Sequence, residues 1–138
     1  MKNNLYRSID ANINRFKEGI RVVEDILRYE FSSPIAFKLK ELRHIKIPDY
    51  EKYIKYRDSA EDILKKSIKD ELTRKDLKEI IISNLKRSQE SARVLEEIFK
   101  LFDVNLSEEF KKARYLLYNY EKEILSLIES EKLKNKNN

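Results

Sequence analysis

Glycine occurs once in the 138 residues, proline twice, and cysteine and tryptophan not at all. A phosphate loop, a glycine-rich kinase loop or a dinucleotide fingerprint needs several glycines to bring backbone amides onto a phosphate. Gly19 alone, set in a helical pattern, cannot supply one. Phosphate, if bound, must then be held by side chains or helix N-termini. Turns and strands also consume glycine, so its scarcity beside 40% charged residues points to an all-α fold. Lack of cysteine excludes a disulfide framework, a thiol nucleophile and a cysteine zinc site, and the lone His44 cannot build a histidine cluster. No apolar run approaches bilayer-spanning length, and Met1-Lys2-Asn3-Asn4 leads into no hydrophobic signal segment. The expected location is the cytoplasm, with no membrane partner.

What is abundant is charge of both signs. Thirty Lys and Arg stand against 25 Asp and Glu, a net of +5, but the signs are interleaved along the chain. Such interleaving argues against a nucleic-acid partner despite the basic balance.

Apolar spacing predicts a long first helix starting after Ser8 or Asp10 and running to about Phe31, with Ile9, Ile13, Phe16, Ile20, Val23 and Leu27 on one face. Ser33 and Pro34 predict the start of a second helix over about 35–45, which Pro48 ends. Short helices and irregular chain are expected from Asp49 to Leu72. Thr73, with Asp76 three residues on, predicts the cap of a helix reaching about Phe102, with Ile81, Leu85, Ala92, Leu95 and Phe99 on one face. Ser107 is expected to cap a last helix to about Ser130. The chain thus reads as one helical domain over 1–131 with a frayed polar tail over 132–138.

The chain also repeats itself. Residues 12–26 and 84–98 share seven identities in fifteen aligned positions, where chance gives about one. The repeat extends loosely over 8–45 and 73–130 and predicts a bundle of two pseudo-symmetric helical hairpins with the two motifs face to face. On a helical wheel Asn12 and Asn84 fall inside apolar sectors, with Arg15 and Arg87 at their edges and small residues, Gly19 and Ser91, beside them. A polar group in a buried sector needs a hydrogen-bonding partner, which is either another helix or a ligand. The purely structural alternative makes Asn12 and Asn84 helix-helix bonders, and pairs Arg15 with Glu18 and Arg87 with Glu90 along the helix. Arg21, Glu24, Arg93 and Glu96 point away from the arc and read as solvated helix charges. His44, Tyr115, Tyr118 and Tyr120 read as packing residues with a polar tip.

Ile9-Asp10-Ala11-Asn12-Ile13-Asn14-Arg15, Glu18-Gly19-Ile20-Arg21-Val22-Val23-Glu24-Asp25, Leu42-Arg43-His44, Arg57-Asp58-Ser59 and Glu90-Ser91-Ala92-Arg93-Val94-Leu95-Glu96-Glu97 together resemble the small helical domain of thiamine biosynthesis that is often fused ahead of thiamine phosphate synthase. The resemblance covers nearly the whole chain, departing at Asp62-Ile63-Leu64, where such domains tend to carry a glycine. It implies hydroxymethylpyrimidine phosphate kinase activity, with ATP as phosphoryl donor and Mg2+ as cofactor. Phosphoryl transfer to an already ionised phosphate demands positioning and charge neutralisation rather than a general base, which suits a chain with one histidine and no cysteine. On that reading Arg15, Arg87, Glu18 and Glu90 are the catalytic candidates. Arg43, Arg57 and Arg114 join the arginines as phosphate binders, Asn12 and Asn84 read the aminopyrimidine edge, and Asp58 and Asp62 are candidate Mg2+ ligands.

Three other readings compete. Thiamine phosphate synthesis itself belongs to a barrel with a glycine-rich phosphate site, for which this chain has neither the length nor the glycines. A non-catalytic helical binding or regulatory module would hold the pyrimidine phosphate without turnover. A nucleic-acid-binding domain would show steep salt dependence with any polyanion. A homodimer is expected because Tyr50, Tyr53 and Tyr56 leave apolar surface that so small a domain has difficulty covering.

Overall fold

A computed structural model describes residues 2–66 and 72–137 and contains, among them, helices and turns but no strand. Among the described residues five α-helices follow one another: α1 (Lys2–Tyr29), α2 (Ile35–Arg43), α3 (Tyr50–Ile54), α4 (Leu77–Phe99) and α5 (Val104–Asn137), with a 3-10 turn at Ser59–Glu61 between α3 and α4. The fold is an all-α bundle. α2 folds back on α1, α5 folds back on α4, and the two long helices α1 and α4 pack against each other between these hairpins.

The apolar spacing accounts for this packing. All six residues expected on the inner face of α1 are fully buried, as are Ile81, Leu85, Ala92, Leu95 and Phe99 on α4. α5 adds Phe110, whose ring stacks on Phe99 at 5.8 Å and meets Phe16 edge-on at 5.4 Å. The core is therefore closed by one aromatic from each long helix. α1 and α4 run in opposite directions, since Tyr6 near the start of α1 meets Phe102, just beyond the end of α4, at 5.5 Å.

The two helices cross at their middles. Ser88 Oγ donates to the Phe16 carbonyl at 2.9 Å, an exchange between residues that are 72 apart and occupy matching places in the two motifs. Gly19 permits the approach. A Cβ there would run into Ser88 Oγ and lie 2.7 Å from the Asn84 carbonyl oxygen, which is backbone and cannot swing aside. Alanine is the better helix former by about 1 kcal/mol, so a solvated Gly19→Ala would stabilise. At this crossing it is expected to destabilise by about 1–3 kcal/mol, the cost of forcing volume into a packed contact. Urea denaturation with an unchanged m-value measures that loss.

Several boundaries differ from the sequence expectation, each for a local reason. α1 begins at Lys2, so Ser8 and Asp10 are interior positions rather than caps. The cap of α4 is Asp76 and not Thr73; its carboxylate accepts from Glu79 N at 2.8 Å, and the Glu79 carboxylate accepts in return from Lys75 N at 2.9 Å. α5 starts at Val104, where Asp103 accepts from Leu106 N at 3.1 Å. Ser107 is therefore no cap. It is buried and donates to the Glu96 carbonyl at 2.6 Å, tying α5 to α4. The stretch expected as a frayed tail continues α5 to Asn137, with Leu133 exposed. Part of the irregular segment expected between Asp49 and Leu72 lies outside the described residues. Tyr53, expected at an uncovered surface, is buried against Tyr6 and Phe99, and Tyr50 is half-buried.

Candidate functional site

A cleft of about 800 Å³ lies between the first half of α1 and the segment 57–63 that follows α3. Its α1 wall carries Arg7, Ser8, Asp10, Asn12 and Arg15, and its opposite wall carries Arg57, Asp58 and Asp62. That volume lies in the range of sites that enclose small organic ligands, about 300–1,000 Å³.

Asp10 anchors the cleft. Its side chain is almost fully buried, and both carboxylate oxygens accept from Arg57, Nε at 2.7 Å and Nη2 at 2.8 Å. Tyr50 braces the same guanidinium, accepting from Nη2 at 3.2 Å while its own hydroxyl donates to Asn14 Oδ1 at 3.1 Å. The hydrogen bonds to Asp10, followed by its negative charge, push the Arg57 pKa still further up, so the residue is a permanent cation. Arg7 Nη2 donates to the Asp58 carbonyl at 2.9 Å, a second tie between α1 and the far wall.

Arg15 is different. It lines the cleft half-buried, and among the described residues it makes no hydrogen bond or ion pair; the expected partner, Glu18, is exposed and does not meet it. Asn12 is buried at the same wall. Its amide donates to the Ser8 carbonyl at 2.9 Å, which answers half of its hydrogen-bonding need within α1 and leaves its carbonyl oxygen for the cleft. Across the cleft, Asp58 Oδ1 accepts from Glu61 N at 3.2 Å and Asp62 Oδ1 from Leu64 N at 3.0 Å, so each carboxylate spends one oxygen on its turn and keeps the other. Among the described residues no group of three or more His, Cys, Asp or Glu stands ready for a metal ion. The donor set therefore fits Mg2+ only in the mode where phosphate and water supply most ligands and one or two carboxylates the rest.

The second motif copy does not build an equivalent cleft. Asn84 keeps the internal bond of Asn12, donating to the Ile80 carbonyl at 2.8 Å. But the counterparts of Arg7, Ser8 and Asp10, 72 residues on, are Glu79, Ile80 and Ile82. Arg87 and Glu90 are exposed, and neither pairs with the other; Glu90 lines a small surface hollow with Lys86, Arg93 and Tyr118.

Two further candidates are occupied elsewhere. Arg43, expected to grip phosphate, instead grips Glu24 with Nε at 2.7 Å and Nη2 at 3.2 Å. Arg114 does the same to Glu96, with Nε at 3.2 Å and Nη2 at 3.0 Å, and its Nη1 donates to Tyr118. Hydrogen bonding raises both arginines' pKa values, that from Glu24 in Arg43 and those from Tyr118 and then Glu96 in Arg114. Glu24 and Glu96, expected as solvated helix charges, are buried. The expectation failed because Arg43 and Arg114 reach them from other helices, although Glu96 also accepts from Arg93 on its own helix at 2.8 Å. The expected solvated pairs Arg21 with Asp25 and Arg93 with Glu97 are present at 3.3 and 3.0 Å.

Asp10 is the cleft residue that the sequence pattern misplaces, at a helix start rather than in the interior of α1. A signal was available, since a carboxylate directly after Ile9 and three residues before Ile13 sits at the border of the apolar face and needs a cation from elsewhere.

Comparison with known proteins places this geometry in context. The family model described as the ThiD2 family matches residues 7–123, which includes every cleft residue named above. A thiamine-phosphate synthase of Prochlorococcus marinus (strain AS9601) is 37% identical over 125 residues, covering 88% of this chain and 36% of that protein. A second, of Synechocystis sp. (strain ATCC 27184 / PCC 6803 / Kazusa), is 34% identical over 122 residues, covering 86% of this chain and 36% of that protein. The chain thus spans about a third of the length of these curated relatives. No solved structure matches. Among the described residues no helix is long and apolar enough to cross a membrane.

Proposed function

This chain belongs to the ThiD2 family, and on that premise we propose that it phosphorylates hydroxymethylpyrimidine phosphate with ATP within thiamine biosynthesis. A phosphate oxygen of the pyrimidine ester forms a bond to the γ-phosphorus of ATP. The bond from that phosphorus to the β,γ-bridging oxygen breaks, the electron pair leaves with ADP, and the product is the pyrimidine diphosphate. Because the acceptor is already ionised near neutral pH, no side chain has to remove a proton.

The observation that carries the reading is Arg15, an arginine without a hydrogen-bond or ion-pair partner among the described residues, in a cleft already walled by a fixed arginine and two half-used carboxylates. Its planar fork suits phosphate oxygens bidentately and opposes the charge that gathers on the transferring group. Arg57, held by Asp10, is a second phosphate contact. Asn12 offers a carbonyl oxygen to the exocyclic amine of the pyrimidine. Asp58 and Asp62 would hold Mg2+ by their remaining oxygens, and the ion would supply charge neutralisation across the β- and γ-phosphates.

A second reading draws on the relatives, which bear the name thiamine-phosphate synthase and are about three times as long as this match. In it the domain holds the pyrimidine phosphate without turning it over. Purified protein incubated with ATP, Mg2+ and hydroxymethylpyrimidine phosphate separates the two. ADP formed in equal amount to pyrimidine diphosphate is the expected result; saturable thermal stabilisation by the pyrimidine phosphate with no ADP would establish the binding module instead.

A further inference from the structure

Asp10 sits on α1 with almost no exposure, yet nothing in the packing of a long helix calls for a carboxylate at that place. The matching position in α4, 72 residues on, is Ile82. A buried ion pair is a poor device for stability, because taking both charges from water offsets most of their attraction. It is a good device for holding a guanidinium in one orientation, because two parallel hydrogen bonds fix the plane of the fork.

The direction of that fork is the telling feature. Nε and Nη2 of Arg57 both face Asp10, and Nη2 also donates to the Tyr50 hydroxyl. Nη1 has no protein partner among the described residues, and Arg57 lines the cleft with its side chain 42% exposed. One edge of the guanidinium is thus committed and the other presented. The Tyr50 hydroxyl passes the constraint on to Asn14, also on the cleft wall, whose amide reaches back to Asp10 at 3.5 Å.

From this geometry we infer that Asp10 is a positioning residue for anion recognition, fixing Arg57 so that its free edge receives a phosphate oxygen of a diphosphate or triphosphate group, with Tyr50 as the second brace. The inference rests on the phosphate-binding reading of the cleft but not on turnover. Preorganisation of this kind lowers the ordering cost of binding rather than adding a contact. The segment 57–63 then owes part of its placement over α1 to the same carboxylate, the other hydrogen-bonded tie among the described residues being that of Arg7 to the Asp58 carbonyl.

A double-mutant cycle on the intact protein tests this, with pyrophosphate and Mg·ATP as probes and direct calorimetric binding as the readout. Asp10→Asn is expected to weaken pyrophosphate binding about tenfold, the loss typical when the partner orienting a binding group is removed. In an Arg57→Ala background the same change is expected to have no further effect, because there is no fork left to orient. A purely structural Asp10 would lower affinity equally in both backgrounds, and that additivity overturns the inference, as does wild-type affinity in Asp10→Asn or absence of pyrophosphate binding by the wild type. Should Asp10→Asn fail to fold, Tyr50→Phe decides. It removes one brace without touching the buried carboxylate, and its loss must also vanish in Arg57→Ala. Binding that behaves as expected in a protein that forms no ADP would remove the kinase reading and leave this one standing.

Discussion

Arg15→Ala is expected to lower the rate of ADP formation by about a hundred- to a thousandfold, the range found when a preorganised group facing transition-state charge is removed. The fold should not suffer. Arg15 makes no hydrogen bond or ion pair among the described residues, so its loss breaks nothing inside the bundle. In a phosphoryl transfer that needs no covalent chemistry from the protein, a guanidinium over the equatorial oxygens acts mainly in the transition state, and the loss should appear in kcat more than in KM. Arg15→Lys should recover only part of the rate, because a point charge cannot reproduce the fork. Arg87→Ala is the internal comparison, since it alters the matching residue of the second motif, which is exposed and outside the cleft. No comparable loss is expected there. Equal losses at both arginines would show that the working site straddles the crossing of α1 and α4 instead of lying in the cleft.

The largest effect on stability is expected at Glu24 and Glu96. Their side chains are 4% and 5% exposed, and Arg43 and Arg114, which bond them, are only 16% and 14% exposed. Replacing either glutamate with alanine leaves a guanidinium held in a nearly closed site without its counter-charge. Breaking a buried pair from one side costs about 3–5 kcal/mol. The residual exposure of the arginines lets water answer some of the charge, so about 3 kcal/mol is expected here. Against a total of about 5–15 kcal/mol for a domain, that is a large share. Replacing the pair together, Glu24→Leu with Arg43→Leu, should restore most of the loss, since apolar side chains of similar volume avoid the desolvation that the ions suffer. Urea midpoints for the single and double variants measure the difference, and a double variant as unstable as the single would refute it.

These two expectations differ in how readily the sequence discloses them. The apolar faces of α1 and α4 were legible because period and burial are local properties, written within one helix as Ile9, Ile13, Phe16 and their successors. Asn12 was legible as a polar residue inside that face and Arg15 at its edge, and Arg57 and Asp58 through the family resemblance, which departs at Asp62. Glu24, Glu96 and Asp10 were not, because what settles a carboxylate's environment is the position of a cation on another element. Arg43 lies 19 residues from Glu24, Arg114 lies 18 from Glu96, and Arg57 lies 47 from Asp10. The assignment of Arg43 and Arg114 to phosphate failed for the same reason in reverse. The local pattern displays a free fork and not the glutamate that fills it from another helix. Ser107 shows a smaller version, a serine in a capping position by spacing whose hydroxyl is taken by the Glu96 carbonyl of a neighbouring helix.

The two buried glutamate-arginine pairs carry a consequence for folding fidelity. Both helices of the central crossing offer a glutamate and both returning helices offer an arginine, so the ionic latches are alike, although Glu96 also holds Arg93 of its own helix. With α2 and α5 exchanged, a collapsing chain or two chains at high concentration would still set an arginine against a glutamate, which is a setting for trapped intermediates and for swapping of helices between molecules. Discrimination must come from what the latches do not share. α5 is 34 residues long and brings Phe110 between Phe16 and Phe99, whereas α2 has nine residues and its phenylalanine, Phe37, faces solvent. The rings, more than the charges, distinguish one arriving helix from the other.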